Sequence, residues 1–180
     1  MTKRYTRDRP IATNNCARLR SDRERARASP KCAHVIVERC TDATANDWLA
    51  FRALLWPEVS SDDHRKDVVR ILADYPRFVT FLARDESRAV GFAEASLRSD
   101  YVNGCDTTPV AFLEGIYVAE THRKRGAARL LCAALERWAH ECGCSEFASD
   151  AYDWDTNSHA FHRAVGFKEM ERVVYFKKPL

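Results

Sequence analysis

The stretch FLEGIYVAETHRKRGAARLLCAA, Phe112–Ala134, decides how this chain folds. It opens inside the apolar run Val110–Val118, which reads as a strand, and crosses a basic turn. It then enters Gly126–Cys142, where Ala127, Leu130, Leu131, Ala134, Leu135 and Trp138 recur at helical spacing and Gly143 supplies a stop. Small residues at 126–128 let backbone N–H groups approach a phosphate closely, and a helix N-terminus adds partial positive charge and unpaired donors. Lys124 and Arg125, with Arg123 and Arg129, supply further charge. An ordinary helix start is the plainer alternative, but the preceding strand and the long amphipathic helix favour an anion site.

Working outward, Val35–Cys40 reads as a strand, Asp47–Trp56 as an amphipathic helix closed by Pro57, and Ser61 to about Asp74 as a second helix. Phe78–Arg84 and Ala89–Leu97 are strand-like runs joined by the turn Asp85–Arg88, and Asp100–Pro109 is a polar loop. After the long helix come a strand at Glu146–Ala151, a helix at Asn157–Val165 and a closing strand at Phe167–Lys178. The expected order is β-α-α-β-β-β-α-β-α-β, one α/β domain spanning 35–180.

The 180 residues suit one such domain, and the composition, 46% hydrophobic and 31% charged, is that of a globular protein. No apolar run is long enough to span a bilayer, and nothing resembles a secretory signal, so a cytoplasmic location without membrane partners is expected. Seven cysteines without CxxC pairing argue against a zinc site or a disulfide framework, and no metal is expected. The net charge of +3 is unevenly spread. Residues 1–34 carry ten basic and three acidic residues, which leaves the rest at −4. The folded part thus suits a polycation better than nucleic acid. Residues 1–34 read as a disordered basic extension. A start at Val35 would instead make them an artefact, since a GUG start codon read internally gives Val.

The motif Arg123-x-x-Gly126-x-Ala128 resembles the pyrophosphate signature of the GNAT superfamily of acetyltransferases, and Asn157–Phe167 resembles its second landmark. The resemblance covers about Val35 to the C-terminus. It implies the GNAT fold, a single mixed β-sheet with helices on both faces and a splayed pair of central strands, and acetyl-CoA as co-substrate. It also implies that backbone groups of Ile116, Tyr117 and Val118 hold the pantetheine arm. Arg123, Lys124, Arg125, Gly126, Ala127 and Ala128 would hold the pyrophosphate, with Asn157 and His162 in the same site. A Tyr that can protonate the leaving thiolate often follows the residue matched by Phe161; here that position is His162, which either supplies the proton or is merely packed.

A narrower resemblance names the acceptor. Tyr101–Asp106, Phe112–Ile116, Ala148–Asp150, Glu171–Val173 and Leu55-Trp56-Pro57 are similar to the chromosomal-type aminoglycoside 6′-N-acetyltransferases. These transfer acetyl to a 6′-amine and confer antibiotic resistance; the subgroup also implies a homodimer. The chemistry fits independently, because a polycationic sugar needs carboxylates and aromatic walls. Glu114, Asp150 and Glu171 fall on separate expected strands, and Trp56 and Tyr101 could stack on sugar rings. Glu114 stands out because apolar residues flank it, where an unpaired charge is costly. Glu114 is the expected proton acceptor, with Asp150 holding the acceptor in place. Acetylation of a protein N-terminus, a lysine or a polyamine is the nearest alternative, and a non-catalytic acyl-CoA-binding regulatory module is the alternative outside enzymes. Cys105 lies in the subgroup-like loop but has no His within a few residues to activate it as a nucleophile.

Overall fold

The computed structural model describes residues 35–180; the basic extension and the alternative start lie outside the described residues. The elements are β1 (Val35–Arg39), α1 (Ala45–Leu55), α2 (Ser61–Ala73), β2 (Phe78–Asp85), β3 (Arg88–Arg98), β4 (Val110–Val118), α3 (Ala127–Glu141), β5 (Phe147–Ser149) and α4 (Thr156–Ala164). They build one mixed sheet in the order β1-β2-β3-β4-β5. The first four strands are antiparallel neighbours, and β5 runs parallel to β4, with α3 as the crossover.

Each face of the sheet has its own apolar core. On one, Leu131, Leu135 and Trp138 of α3 pack on Val79, Ala83, Ala93, Ala95 and Leu113, which explains the helical spacing of those α3 residues. On the other, Trp48 of α1 and Val68 and Ile71 of α2 pack on Leu82 and Phe92. Both α2 and α4 have side-chain caps: Ser60 Oγ accepts from Asp63 N–H, and Asp155 Oδ1 from Ser158 N–H.

Two features of the sheet place the site. Between Glu94 and Ala95 the β3–β4 register slips, so that Gly115 faces Glu94 and Leu113 faces Ala95, leaving Glu114 as the extra residue of a bulge. On its other side, β4 pairs with β5 only at Ala111, Phe112 and Leu113. Beyond Leu113, β4 runs on to Val118 without a β5 partner, at the place where the resemblance implies a splay.

The expected closing strand is corrected by the structure: residues 167–178 form no strand. Its apolar pattern fits a strand, but β-structure needs an edge to pair with, and β5 has only three residues. Phe176 is left 93% exposed and Val174 77%. Consequently β5 is the edge of the sheet, and β4 and β5, the pair implied to splay, lie at that edge rather than at the centre.

Candidate active site

The parallel register sets Leu113 opposite Ser149 as the last pair of the two strands. The next residue on each strand carries a carboxylate: Glu114 on β4 and Asp150, exposed, immediately after β5. The two expected catalytic residues therefore each directly follow the last β4–β5 pair. Glu114 Oε1 accepts from Ser96 Oγ at 2.6 Å and from Arg98 Nη2 at 2.9 Å. The Arg98 guanidinium in turn lies 3.3 Å from the centroid of the Phe112 ring.

Trp56 forms the wall beside Gly115. A Cβ on Gly115 would stand 2.5 Å from Trp56 Cη2, so only glycine allows this approach. The indole is held by Phe92, edge-on with centroids 6.3 Å apart, and by the Arg52 guanidinium at 4.8 Å. Beneath it lies a buried polar network. Arg52 donates to both Glu94 oxygens and to Asp67, Trp48 Nε1 donates to Glu94 at 2.9 Å, and His64 bridges Arg52 Nε and the Trp56 carbonyl. Burial pushes the Glu94 carboxyl up, opposed by the Arg52 guanidinium and the Trp48 N–H.

The other residues expected on the acceptor side, Tyr101 and Glu171, lie outside the sheet. Tyr101 is 77% exposed on the loop between β3 and β4. Glu171 lies on no strand; it meets that loop by accepting from Asn103 Nδ2 at 3.1 Å. Nearby, Tyr152 and Trp154 stack with centroids 4.8 Å apart.

The residues expected to hold the cofactor continue along β4 past Glu114 and into the start of α3. Ile116, Tyr117 and Val118 pair with β3 on one side and lie beyond the last β5 pair on the other. The first bond of the α3 ladder runs from Leu130 N–H to Gly126 O, so the N–H groups of Gly126 through Arg129 precede it at the helix end. Gly126 holds φ 90°, a left-handed turn suited to glycine, and Lys124 and Arg125 are exposed beside it. Ala127 and Ala128 are the first two residues of α3. Arg123 behaves differently: its Nε donates to Val118 O at 3.0 Å, which braces the turn instead of leaving the side chain toward the helix end. Arg129 ties α3 to α4 by donating to Ala164 O. Asn157 is exposed in the first turn of α4. His162, one turn later, reaches Ser149 Oγ with Nε2 at 2.9 Å.

Among the described residues, no cysteine has its thiol pushed down toward the reactive thiolate. Cys105 is half-buried, and burial, Glu146 and Asp106 all push its thiol up; burial pushes that of Cys132 up to about 12. Among the described residues no group of three or more His, Cys, Asp or Glu could hold a metal ion, and no helix is long and apolar enough to cross a membrane.

Sequence reasoning missed Ser96, Arg98 and the Arg52–Glu94 network. Glu94 did carry a signal, as a lone charge in the apolar run Ala89–Leu97.

Residues 48–167 match the Acetyltransferase (GNAT) family. An aminoglycoside N(6′)-acetyltransferase type 1 from Serratia marcescens is 49% identical over 142 residues, 78% of this chain and 97% of that protein. A protein of the same name from Acinetobacter baumannii is 45% identical over 77% of this chain and 94% of its own length. Among solved structures, AAC(6′)-Iy in complex with the bisubstrate analogue CoA-S-monomethyl-acetylneamine superposes with a TM-score of 0.79 at 41% identity. That match covers 82% of this chain and 99% of the other. AAC(6′)-Ih from Acinetobacter baumannii gives 0.77 at 43% identity, covering 81% and 99%.

Proposed function

Because the chain belongs to the GNAT acetyltransferase family, we propose that it transfers the acetyl group of acetyl-CoA to the 6′-amine of aminoglycosides, and thereby confers resistance to them. The observation that supports this reading is the end of β4–β5 pairing at Leu113 and Ser149, with Glu114 next on β4 and Asp150 immediately after β5. A sugar ammonium needs that anionic lip, and an acyl-CoA needs the α3 N-terminus at the end of β4.

The chain's own groups divide the work. Lys124, Arg125 and the N–H groups from Gly126 onward bind the pyrophosphate. Backbone N–H groups near Tyr117 stabilise the oxyanion that forms when the amine attacks the thioester carbon. An ammonium is not a nucleophile, and neutralising one with a pKa near 10 at pH 7 costs about 4 kcal/mol. Glu114, oriented by Ser96 and Arg98, accepts that proton directly or through water, and Asp150 holds the acceptor. Trp56 and Tyr101 stack on the sugars, and Glu171 binds a remote ammonium.

The protein acts as a cytoplasmic homodimer in this reading. The exposed run from Val173 to Phe176 is the apolar surface a second copy would cover. Light scattering should give a dimer, and Phe176→Asp should weaken it; a monomer at micromolar concentration overturns this part.

The deciding assay offers acetyl-CoA and two aminoglycosides that differ only in bearing a 6′-amine or a 6′-hydroxyl. Thiol release with the amine alone is expected; equal turnover of both refutes the 6′ assignment.

A further inference from the structure

Two large aromatic rings stand in the open in the loop between β5 and α4. Tyr152 and Trp154 stack with centroids 4.8 Å apart and planes 15° from parallel, yet stay 50% and 69% exposed. A single exposed aromatic is ordinary; a stacked pair held in place is the form a binding surface takes. The hold is in the backbone. The Tyr152 carbonyl accepts from Asp155 N–H and from His159 Nε2, each at 3.0 Å, and the Trp154 carbonyl accepts from Thr156 N–H at 3.1 Å. Asp155 also caps α4, so the loop is folded onto the helix start. Between the two rings, Asp153 accepts from Arg172 Nη1, and Arg172 Nε donates to Glu169 at 2.7 Å. Next to Arg172, Glu171 accepts from Asn103 of the loop that carries Tyr101. Residues 169–172 thus join the aromatic pair to the acceptor loop.

We propose that Tyr152 and Trp154 are the platform for the aminosugar ring that an aminoglycoside carries beyond the two rings nearest its reacting amine. The platform rests on the acetyltransferase reading above and adds a specificity site to it. Asp150 directly follows β5, and at no more than ~3.6 Å per residue the backbones of Tyr152 and Trp154 lie within about 7 and 14 Å of it. An acceptor of several rings, held at Glu114 and Asp150 by its reacting end, spans that distance with its far end. The charge suits such a ligand: residues 150–155 and 169–172 carry five carboxylates against the one guanidinium of Arg172. An aminosugar stacks its C–H face on an aromatic ring and sets its ammonium over a ring face. A neutral sugar gains only the first contact, and an anion is repelled. Neither ring belongs to Ala148–Asp150 or Asn157–Phe167, the stretches on either side that carry the resemblance. The platform touches no reacting atom, so it acts on acceptor affinity and not on the chemical step.

Neamine and kanamycin B make the test. They share the two rings that include the 6′-amine, and kanamycin B adds one aminosugar. Trp154→Ala should raise the kanamycin B KM by ~10-fold, the range a cation–π contact with ring stacking carries. The neamine KM, the neamine kcat and the acetyl-CoA KM should each change less than about twofold. Trp154→Phe should restore most of the loss, because the ring face and not the indole N–H makes the contact. Equal losses with both acceptors, or no loss with either, overturn the platform and leave the acetyltransferase reading intact. Calorimetric titration reads the platform without turnover: the wild type should bind kanamycin B more tightly than neamine, and Trp154→Ala should erase the difference. A wild type that binds the two equally, or binds neither, overturns the platform. One that prefers kanamycin B but acetylates neither compound overturns the acetyltransferase reading instead.

Discussion

Arg98 Nη2 donates to Glu114 Oε1 across 2.9 Å, so the carboxylate at the centre of the site is paired before any substrate arrives. The bulge at Glu114 would otherwise leave a carboxylate free to swing on a displaced backbone. Ser96 and Arg98, both on β3, fix its direction. The guanidinium is itself pinned over Phe112.

Glu114→Gln keeps this geometry and removes the proton acceptor. It should lower kcat/KM for an aminoglycoside by ~10²–10⁴-fold and leave acetyl-CoA affinity unchanged. Arg98→Met keeps the carboxylate but frees it, and should lower kcat by up to ~10²-fold through misplacement. Steady-state kinetics with calorimetric titration of CoA separates the two effects; an unchanged rate and pH profile in Glu114→Gln removes Glu114 as the base.

Gly115 and Trp56 predict a specificity effect. The Cβ of Gly115→Ala would collide with the indole, which must then leave its place against Phe92 and Arg52. The expected cost is about 1–3 kcal/mol of stability, from overpacking. The acceptor KM should rise and the acetyl-CoA KM should not, because α3 and its N-terminus are untouched. Equal rises in both would mean that Trp56 supports the sheet generally and not the acceptor wall.

The sequence carried the sheet and its helices well, because periodicity is local and each face of the sheet has its own core. It failed at 167–178, where alternating apolar residues satisfy a strand pattern but the neighbouring edge is three residues long. Glu114 was legible as a charge inside an apolar run. Its partners Ser96 and Arg98 were not, because they are set by a register slip between strands that no local pattern encodes. Arg52 and Glu94 lie 42 positions apart, and their pairing exists only once α1 crosses the sheet. Asp150 was named through resemblance alone; the register ends one residue before it, at Ser149.

The Arg52–Glu94 pair should govern stability more than chemistry. Both residues are 5% exposed, and Glu94 gains further from Trp48 N–H. Removing one partner strands a buried charge, so Arg52→Met should cost about 3–5 kcal/mol in urea unfolding. Adding Glu94→Leu removes the orphaned carboxylate and should recover much of that loss. A double variant no more stable than Arg52→Met alone would mean that packing around Trp48 and Trp56, and not charge, is what the single change disrupts.

Glu146 offers a pH-dependent handle on the acceptor loop. Its Oε2 accepts from Asp106 N–H, Thr107 N–H and Thr107 Oγ1, latching the loop between β3 and β4 to the start of β5. The Thr107 hydroxyl and the two amides hold this carboxyl below its ordinary value. A depressed carboxylate binds fewer protons folded than unfolded. Its stabilisation is therefore present above the ordinary value of about 4.3 and lost as pH falls through the depressed one. Below that range the latch should open, and the protection factors of the Asp106 and Thr107 amides should fall ahead of those in β3 and β4. Because the same loop carries Tyr101, any residual acceptor binding should weaken in step. Glu146→Gln still offers an oxygen to the same donors but lacks the titrating group, so its protection should not change across this pH range. If its protection instead follows the wild-type acid transition, the loop is released by some other carboxylate.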